Sequence, residues 1–132
     1  MSALYRTADM GTTPIVLLVD DSRISRMMSR QYIAKKHPDW QIEEAGTGEE
    51  AIDKANQFEP FLILLDVNMP GMGGIAAAEV LRTAHPLSNI FLVTANVQEA
   101  TRKKASDLCL GFAEKPMTEP KMHALLDTLK VI

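Results

Sequence analysis

Phe61-Leu62-Ile63-Leu64-Leu65-Asp66 is an unbroken apolar run that stops on a carboxylate. A short continuous apolar run flanked by helix-like segments reads as a buried parallel strand. Three more runs end in a similar way. Ile15 to Val19 leads into Asp20 and Asp21, Ile90 to Val93 into Thr94, and Gly111 to Ala113 leads, one residue on, to Lys115-Pro116. In an open parallel α/β sheet the carboxyl ends of the strands meet in one crevice, and ligands bind there. Three acids, one hydroxyl and one amine therefore gather in a single pocket. Such a pocket can hold a divalent cation and receive a phosphoryl group.

The segments between the runs support this arrangement. Asp20-Asp21-Ser22 offers a helix cap. A helix is expected over Arg23 to Lys36, with Ile24, Met27, Met28, Tyr32 and Ile33 near helical spacing and Pro38 beyond its end. Trp40 to Ala45 reads as a second strand, Gly46-Thr47-Gly48 as a turn, and Glu49 to Phe58 as a helix with Ala51, Ile52 and Ala55 inward. After the Phe61–Leu65 strand, residues Asn68 to Gly74 form a loop of turn residues, followed by a helix over Ile75 to Ala84. Asn89 to Val93 is the fourth strand, Val97 to Leu108 a polar, basic helix, and Leu110 to Ala113 the fifth strand. The last helix, Glu119 to Lys130, carries Met122, Leu125, Leu126 and Leu129 on one face. Five strands and five helices in alternation predict a parallel sheet covered on both faces. Right-handed crossovers leave a flavodoxin-like order, 2-1-3-4-5, as the natural choice.

A chain of 132 residues is one domain with room for a real core. Residues 1–13 read as a flexible N-terminal tail and residues 14–132 as the folded domain. The net charge of −3 argues against nucleic-acid binding, which normally shows a basic patch. Cys109 is the single cysteine, so no internal disulfide forms. No apolar stretch approaches the roughly 20 residues of a membrane span. Met1 to Thr13 lacks the apolar centre of a signal peptide. A cytoplasmic setting without membrane insertion is expected.

The pocket chemistry follows from its charges. Asp20, Asp21 and Asp66, all ionised in a partly dry crevice, repel one another. Mg²⁺ removes the conflict, because it takes oxygen ligands from one or two carboxylates and from phosphate. Asp66 is a candidate carboxylate nucleophile, giving an aspartyl phosphate. Lys115 offers a point charge to phosphoryl oxygens and Thr94 a hydroxyl donor. Taken singly, each has an ordinary reading: Asp20 or Asp21 as a helix cap, Asp66 as a turn residue, Lys115 as an exposed lysine, Thr94 as a strand end. Their joint placement on strand ends is what favours chemistry.

The stretches Val19-Asp20-Asp21-Ser22, Asp66-Val67-Asn68-Met69-Pro70-Gly71-Met72-Gly73-Gly74, Thr94-Ala95 and Lys115-Pro116 resemble the receiver domain of bacterial two-component response regulators over about residues 14 to 131. The single-domain chemotaxis type is the nearest look, since nothing follows the fifth helix. The resemblance implies that Asp66 accepts a phosphoryl group from a histidine kinase or a histidine phosphotransfer protein. It implies Asp21 and Asp66 as direct Mg²⁺ ligands, the Asn68 carbonyl as a third, and Asp20 acting through metal-bound water. It also implies that Lys115 contacts the phosphoryl group, that Thr94 moves toward it, and that Ala95, next to Thr94, belongs to the binding site. Phe112, three residues before the lysine, takes the aromatic switch position, without the hydroxyl of a tyrosine. Output passes to a downstream protein target through the fourth helix, fifth strand and fifth helix. Gly73 stands where many members carry an acid, and Ser106 to Gly111 lacks the paired acids of members that dimerise through the fourth helix and fifth strand.

The remaining residues read more plainly. His37, His85 and His123 suit surface roles, Met27, Met28 and Met122 suit the core, and Cys109 suits a small buried apolar site. Arg102-Lys103-Lys104 suits a solvated helix face or the docking of an acidic partner. Against the switch stand three other readings: a phosphohydrolase with an aspartyl-phosphate intermediate, a receiver cut from a larger regulator with an output domain, and an unphosphorylated interaction module. The hydrolase normally needs a second aspartate two residues after the nucleophile, and here that residue is Asn68. The chain is therefore expected not to be an enzyme beyond its own phosphorylation and dephosphorylation.

Overall fold

The computed structural model describes residues 13–129. The chain runs β1 (Ile15–Val19), α1 (Arg23–Lys36), β2 (Gln41–Ala45), α2 (Gly48–Phe58), β3 (Leu62–Asp66), α3 (Gly73–Ala84), β4 (Asn89–Thr94), α4 (Glu99–Asp107), β5 (Gly111–Glu114) and α5 (Glu119–Asp127). The strands form one parallel sheet in the order β2-β1-β3-β4-β5. This is the expected flavodoxin-like receiver fold. The expected tail falls, apart from an exposed Thr13, outside the described residues, as does Lys130.

Alternation along the central strands splits the core in two. Leu17, Val19, Ile63, Leu65 and Leu92 meet α2 and α3, which offer Ala51, Ala55, Ala77, Ala78 and Leu81. Those alanines let two helices lie close to the sheet. Val16, Leu18, Leu62, Leu64 and Val93 face the other way, onto Ile33 of α1 and Met122, Leu125 and Leu126 of α5. Each large side chain fully buried this way contributes roughly 1.5–3 kcal/mol. The edge strand β2 has Glu43 and Glu44 in its middle, which discourages pairing with another chain.

Helix starts follow their caps. Ser22, Thr47 and Thr118 accept hydrogen bonds from the backbone N–H groups of Ser25, Glu50 and Lys121; each such cap contributes about 1 kcal/mol. The cap of α1 is thus Ser22, which frees Asp20 and Asp21 from that role. Several boundaries differ from the sequence expectation. β3 and β4 extend one residue further and carry Asp66 and Thr94 within the ladder. β2 and β5 each start a residue later, at Gln41 and Gly111, and β5 ends on Glu114. α2 and α3 begin earlier, at Gly48 and Gly73, while α4 is confined to Glu99–Asp107. α5 stops at Asp127, where the Thr128 hydroxyl bonds the Leu125 carbonyl at 2.6 Å.

Two packing expectations are overturned. Met27 and Met28 do not fill the core: they are 50% and 43% exposed, and Ile24 is 66% exposed. Only Ile33 of α1 is buried, because the helix lies over the sheet chiefly by its C-terminal half. Cys109 is likewise exposed, at a left-handed φ of 56° in the bend after α4. At the amino-terminal rim of the sheet, Trp40 stacks on His37 with ring centroids 3.8 Å apart and meets the Phe61 ring edge-on at 5.7 Å. No described helix is long and apolar enough to cross a membrane.

Candidate functional site

The carboxyl ends of β1, β3 and β5 bring four charged groups together. Carboxylate oxygens of Asp20, Asp21 and Asp66 lie within 4.8 Å of one another. Lys115 Nζ stands 3.0 Å from Asp20 Oδ2 and 3.3 Å from Asp66 Oδ2. The other oxygens are held by backbone: Asp20 Oδ1 accepts from Ser22 N–H at 2.8 Å, and Asp66 Oδ1 from Asn68 N–H at 3.3 Å. Asp66 is 4% exposed, whereas Asp21 points to solvent.

The electrostatics are those of an under-neutralised site. Burial, and then the charge of Asp20, push the Asp66 carboxyl above the usual range; Lys115 and the Asn68 N–H pull the other way without cancelling them. Burial works against the Lys115 ammonium, but hydrogen bonds and charge from Asp20 and Asp66 outweigh it and hold its pKa above normal. Three carboxylates against one ammonium leave two negative charges. An all-oxygen donor set with that residual charge fits a hard divalent cation.

Backbone geometry keeps the site narrow. Gly74 N–H donates to the Val67 carbonyl at 3.1 Å, folding the β3–α3 loop back on the strand end. A Cβ at Gly74 would lie 2.1 Å from the Asp66 carbonyl oxygen and 2.7 Å from Val67 Cα, so only glycine permits this turn. Gly73, at φ 78°, takes a left-handed conformation in the same turn.

The other expected residues are placed around this centre. Thr94 is 1% exposed at the end of β4, with its Oγ1 accepting from Asn96 N–H at 3.1 Å, while its carbonyl accepts from Lys115 N–H at 2.8 Å. Its hydroxyl is thus engaged in the β4–α4 turn and not with Asp66. Ala95 and Asn68 are exposed at the rim, and Ala95 lines a cleft beside Asp66. Phe112 pairs with Leu92 across the ladder, two residues from Thr94, and is half-buried with Arg102 Cζ 5.0 Å from its ring centroid. Among the basic run of α4, Lys104 pairs with Glu79 at 2.8 Å and Lys103 with Asp107 at 3.3 Å.

Sequence reasoning missed one supporting group. Arg26 donates to the Asp20 carbonyl at 2.5 Å and to Glu44 Oε1 at 2.8 Å, while Arg30 donates to Glu44 Oε2 at 2.9 Å. Burial alone raises the Glu44 pKa, but the two guanidinium groups overcome it and hold the carboxylate well ionised. This knot ties α1 and β2 to the acidic turn. No local pattern announces it, because its partners lie 18 and 14 residues apart.

The response regulator receiver domain family matches residues 16–127. The chain is 32% identical over 117 residues to the chemotaxis protein CheY of Halobacterium salinarum, covering 86% of this chain and 95% of that one. It is 38% identical over 96 residues to a protein-glutamate methylesterase/protein-glutamine glutaminase of Methanosarcina mazei; this covers 72% of the chain but spans only 26% of the relative's length. The solved structure of chemotaxis protein CheY4 of Vibrio cholerae superposes with a TM-score of 0.81 over 90% of this chain and 100% of that one, at 24% identity, which speaks for the fold.

Proposed function

The chain belongs to the response regulator receiver domain family, and on that premise we propose that it is a phosphorylation-driven signalling switch with residues 14–132 as its working unit. One observation carries the reading: a buried Asp66 with a raised pKa, held 3.3 Å from Lys115 inside a cluster of carboxylates. An Asp66 oxygen attacks the phosphorus of a phosphohistidine on a kinase or phosphotransfer protein. The P–O bond forms, the P–N bond breaks, and the imidazole keeps the electron pair and takes up a proton. Phosphoryl transfer asks chiefly for positioning and charge stabilisation. Asp20, Asp21, Asp66 and the Asn68 carbonyl would hold a Mg²⁺ ion, which would supply charge neutralisation at the phosphoryl oxygens. Lys115 exchanges its carboxylate partners for those oxygens.

The switch then runs through Thr94 and Phe112. The Thr94 hydroxyl leaves Asn96 for the phosphoryl group, and the Phe112 ring on the neighbouring strand follows into the space it vacates. Ala95, small and at the rim, leaves that path open. The result is a changed surface on α4, β5 and α5, read by a downstream protein in the cytoplasm. This reading includes no direct nucleic-acid contact.

The test is phosphorylation by phosphoramidate with Mg²⁺, followed by intact mass. Wild type should gain one phosphoryl group, lost again with time, and Asp66→Asn none. Labelling of Asp66→Asn at the wild-type rate refutes the assignment. Continuous turnover of donor instead favours a phosphohydrolase, a reading weakened by the amide at Asn68. The match to part of a methylesterase also supports a receiver joined to an output domain, with the same chemistry at Asp66.

A further inference from the structure

We infer that Arg26 is a positioning residue for the cation site: its guanidinium fixes the peptide plane between Asp20 and Asp21, and with it the aim of the Asp21 carboxylate. The inference rests on the reading of the acidic cluster as a Mg²⁺ site and adds the group that holds part of it in place. The turn carrying both acids lies between Val19, the end of β1, and Arg23, the start of α1. Within it the Asp20 carboxylate is tied down, Oδ1 by the Ser22 N–H and Oδ2 by Lys115. The exposed Asp21 carboxylate has no hydrogen bond or ion pair among the described residues. Its direction therefore follows from the backbone that precedes it. The Asp20 N–H donates to the Ala45 carbonyl at 3.1 Å, and the Asp20 carbonyl, past the end of the ladder, accepts from Arg26 Nη1 at 2.5 Å. Among the described residues no other donor reaches that carbonyl.

Arg26 is itself held. Its side chain is 17% exposed, and its Nε donates to Glu44 Oε1 at 2.8 Å. Glu44 in turn is fixed by Arg30 on its other oxygen and by Lys54 Nζ on its carbonyl at 2.6 Å. A rigid guanidinium fork can serve the Glu44 carboxylate and the Asp20 carbonyl at once. No ion pair joins Arg26 to the carboxylates of Asp20 or Asp21 among the described residues, so it reaches the turn through backbone alone. Its charge opposes a cation bound nearby. Its hold on the turn favours one, because Mg²⁺ tolerates little departure from octahedral geometry. The two effects have opposite signs, and a substitution that removes the charge separates them.

The experiment titrates Mg²⁺ alone into unphosphorylated wild type and variants. The dissociation constant is read by calorimetry and by the backbone amides of Asp20, Asp21, Asp66 and Asn68. Contacts that orient a metal ligand change metal affinity roughly 10- to 100-fold, and Arg26 acts on one ligand of several, so Arg26→Gln should weaken Mg²⁺ about 10-fold. Arg26→Lys keeps the charge but loses the fork, and should fall between wild type and Arg26→Gln. Arg30→Gln removes an equal charge from the same carboxylate, yet Arg30 bonds Glu44 and the Ile42 carbonyl and not the acidic turn. It should leave the affinity unchanged or slightly tighter. In metal-free Arg26→Gln the Asp21 amide, which shares its peptide plane with the Asp20 carbonyl, should shift. Urea midpoints without Mg²⁺ report any loss of folding separately. Mg²⁺ bound by Arg26→Gln as tightly as by wild type or more so, or weakened as much by Arg30→Gln, overturns the positioning role and leaves the cation site standing. Should Arg26→Gln fail to fold, wild-type affinity in Arg26→Lys overturns it in the same way. A wild type that binds no Mg²⁺ overturns both.

Discussion

Arg102 should act as a clasp on the Phe112 ring, and removing it should shift the ring toward its inward position before any phosphorylation. The guanidinium carbon stands 5.0 Å from the ring centroid. No carboxylate among the described residues lies within ion-pair distance of Arg102, unlike Lys103 and Lys104 beside it. A cation over an aromatic face at an exposed site contributes about 0.5–1 kcal/mol. Arg102→Gln should therefore raise the inward-to-outward ratio roughly 2- to 5-fold, with Arg102→Lys in between. That is well short of the roughly 5.5 kcal/mol that takes an equilibrium from 1:99 to 99:1, so phosphorylation should still add to it. The assay is NMR on protein labelled at the phenylalanine rings. With only four phenylalanines in the chain, the Phe112 resonance can be assigned by Phe112→Leu. A ring population in Arg102→Gln indistinguishable from wild type would refute the clasp.

The other predictions concern the acidic pocket. The folded-state pKa of Asp66 lies above its ordinary value, so the protonated group favours folding at low pH, and that contribution is lost as pH rises through the folded pKa. Asp66→Asn should consequently unfold at higher urea than wild type at neutral pH, and the gap should close on acidification; a less stable mutant at pH 7 contradicts the argument. Mg²⁺ at a hundred times its Kd should raise stability by about 2.7 kcal/mol, seen as a shift in urea midpoint that chelation reverses and Asp21→Asn weakens. Gly74→Ala places a Cβ against the backbone of Asp66 and Val67; it should cost about 1–3 kcal/mol and slow Asp66 labelling, and a fully stable, fully active mutant would show that the loop relaxes.

Much of this was legible in the chain because the central strands are plain. β1 matches its apolar run residue for residue, and β3 and β4 miss by little because a buried parallel strand has no polar alternation to blur it. The acidic cluster was legible because strand ends in such a sheet converge by topology. α1 misled because Ile24, Met27 and Met28 keep helical spacing yet lie exposed, Met28 alone of the three lining the cleft beside Asp66. Periodicity tells which residues share a face, not whether anything covers that face. Cys109 misled for a backbone reason: the left-handed bend after α4 turns it outward. The Arg26–Glu44–Arg30 knot could be seen only once β2 lay beside β1, since its members share no local spacing.

The stack of Trp40 on His37 decides what light can report about this protein. It is the only tryptophan in the chain, and it stands beside Phe61, before the first residue of β3, while Asp66 is the last. At about 3.3 Å per residue the strand sets the fluorophore roughly 17 Å from the carboxylate. Intrinsic emission will therefore follow loss of the whole sheet and stay silent to metal or phosphoryl chemistry. It will respond instead to protonation of its stacking partner, whose pKa burial and Lys36 hold below the usual histidine value. An observer titrating Mg²⁺ against tryptophan brightness would see a flat line whether or not the ion binds.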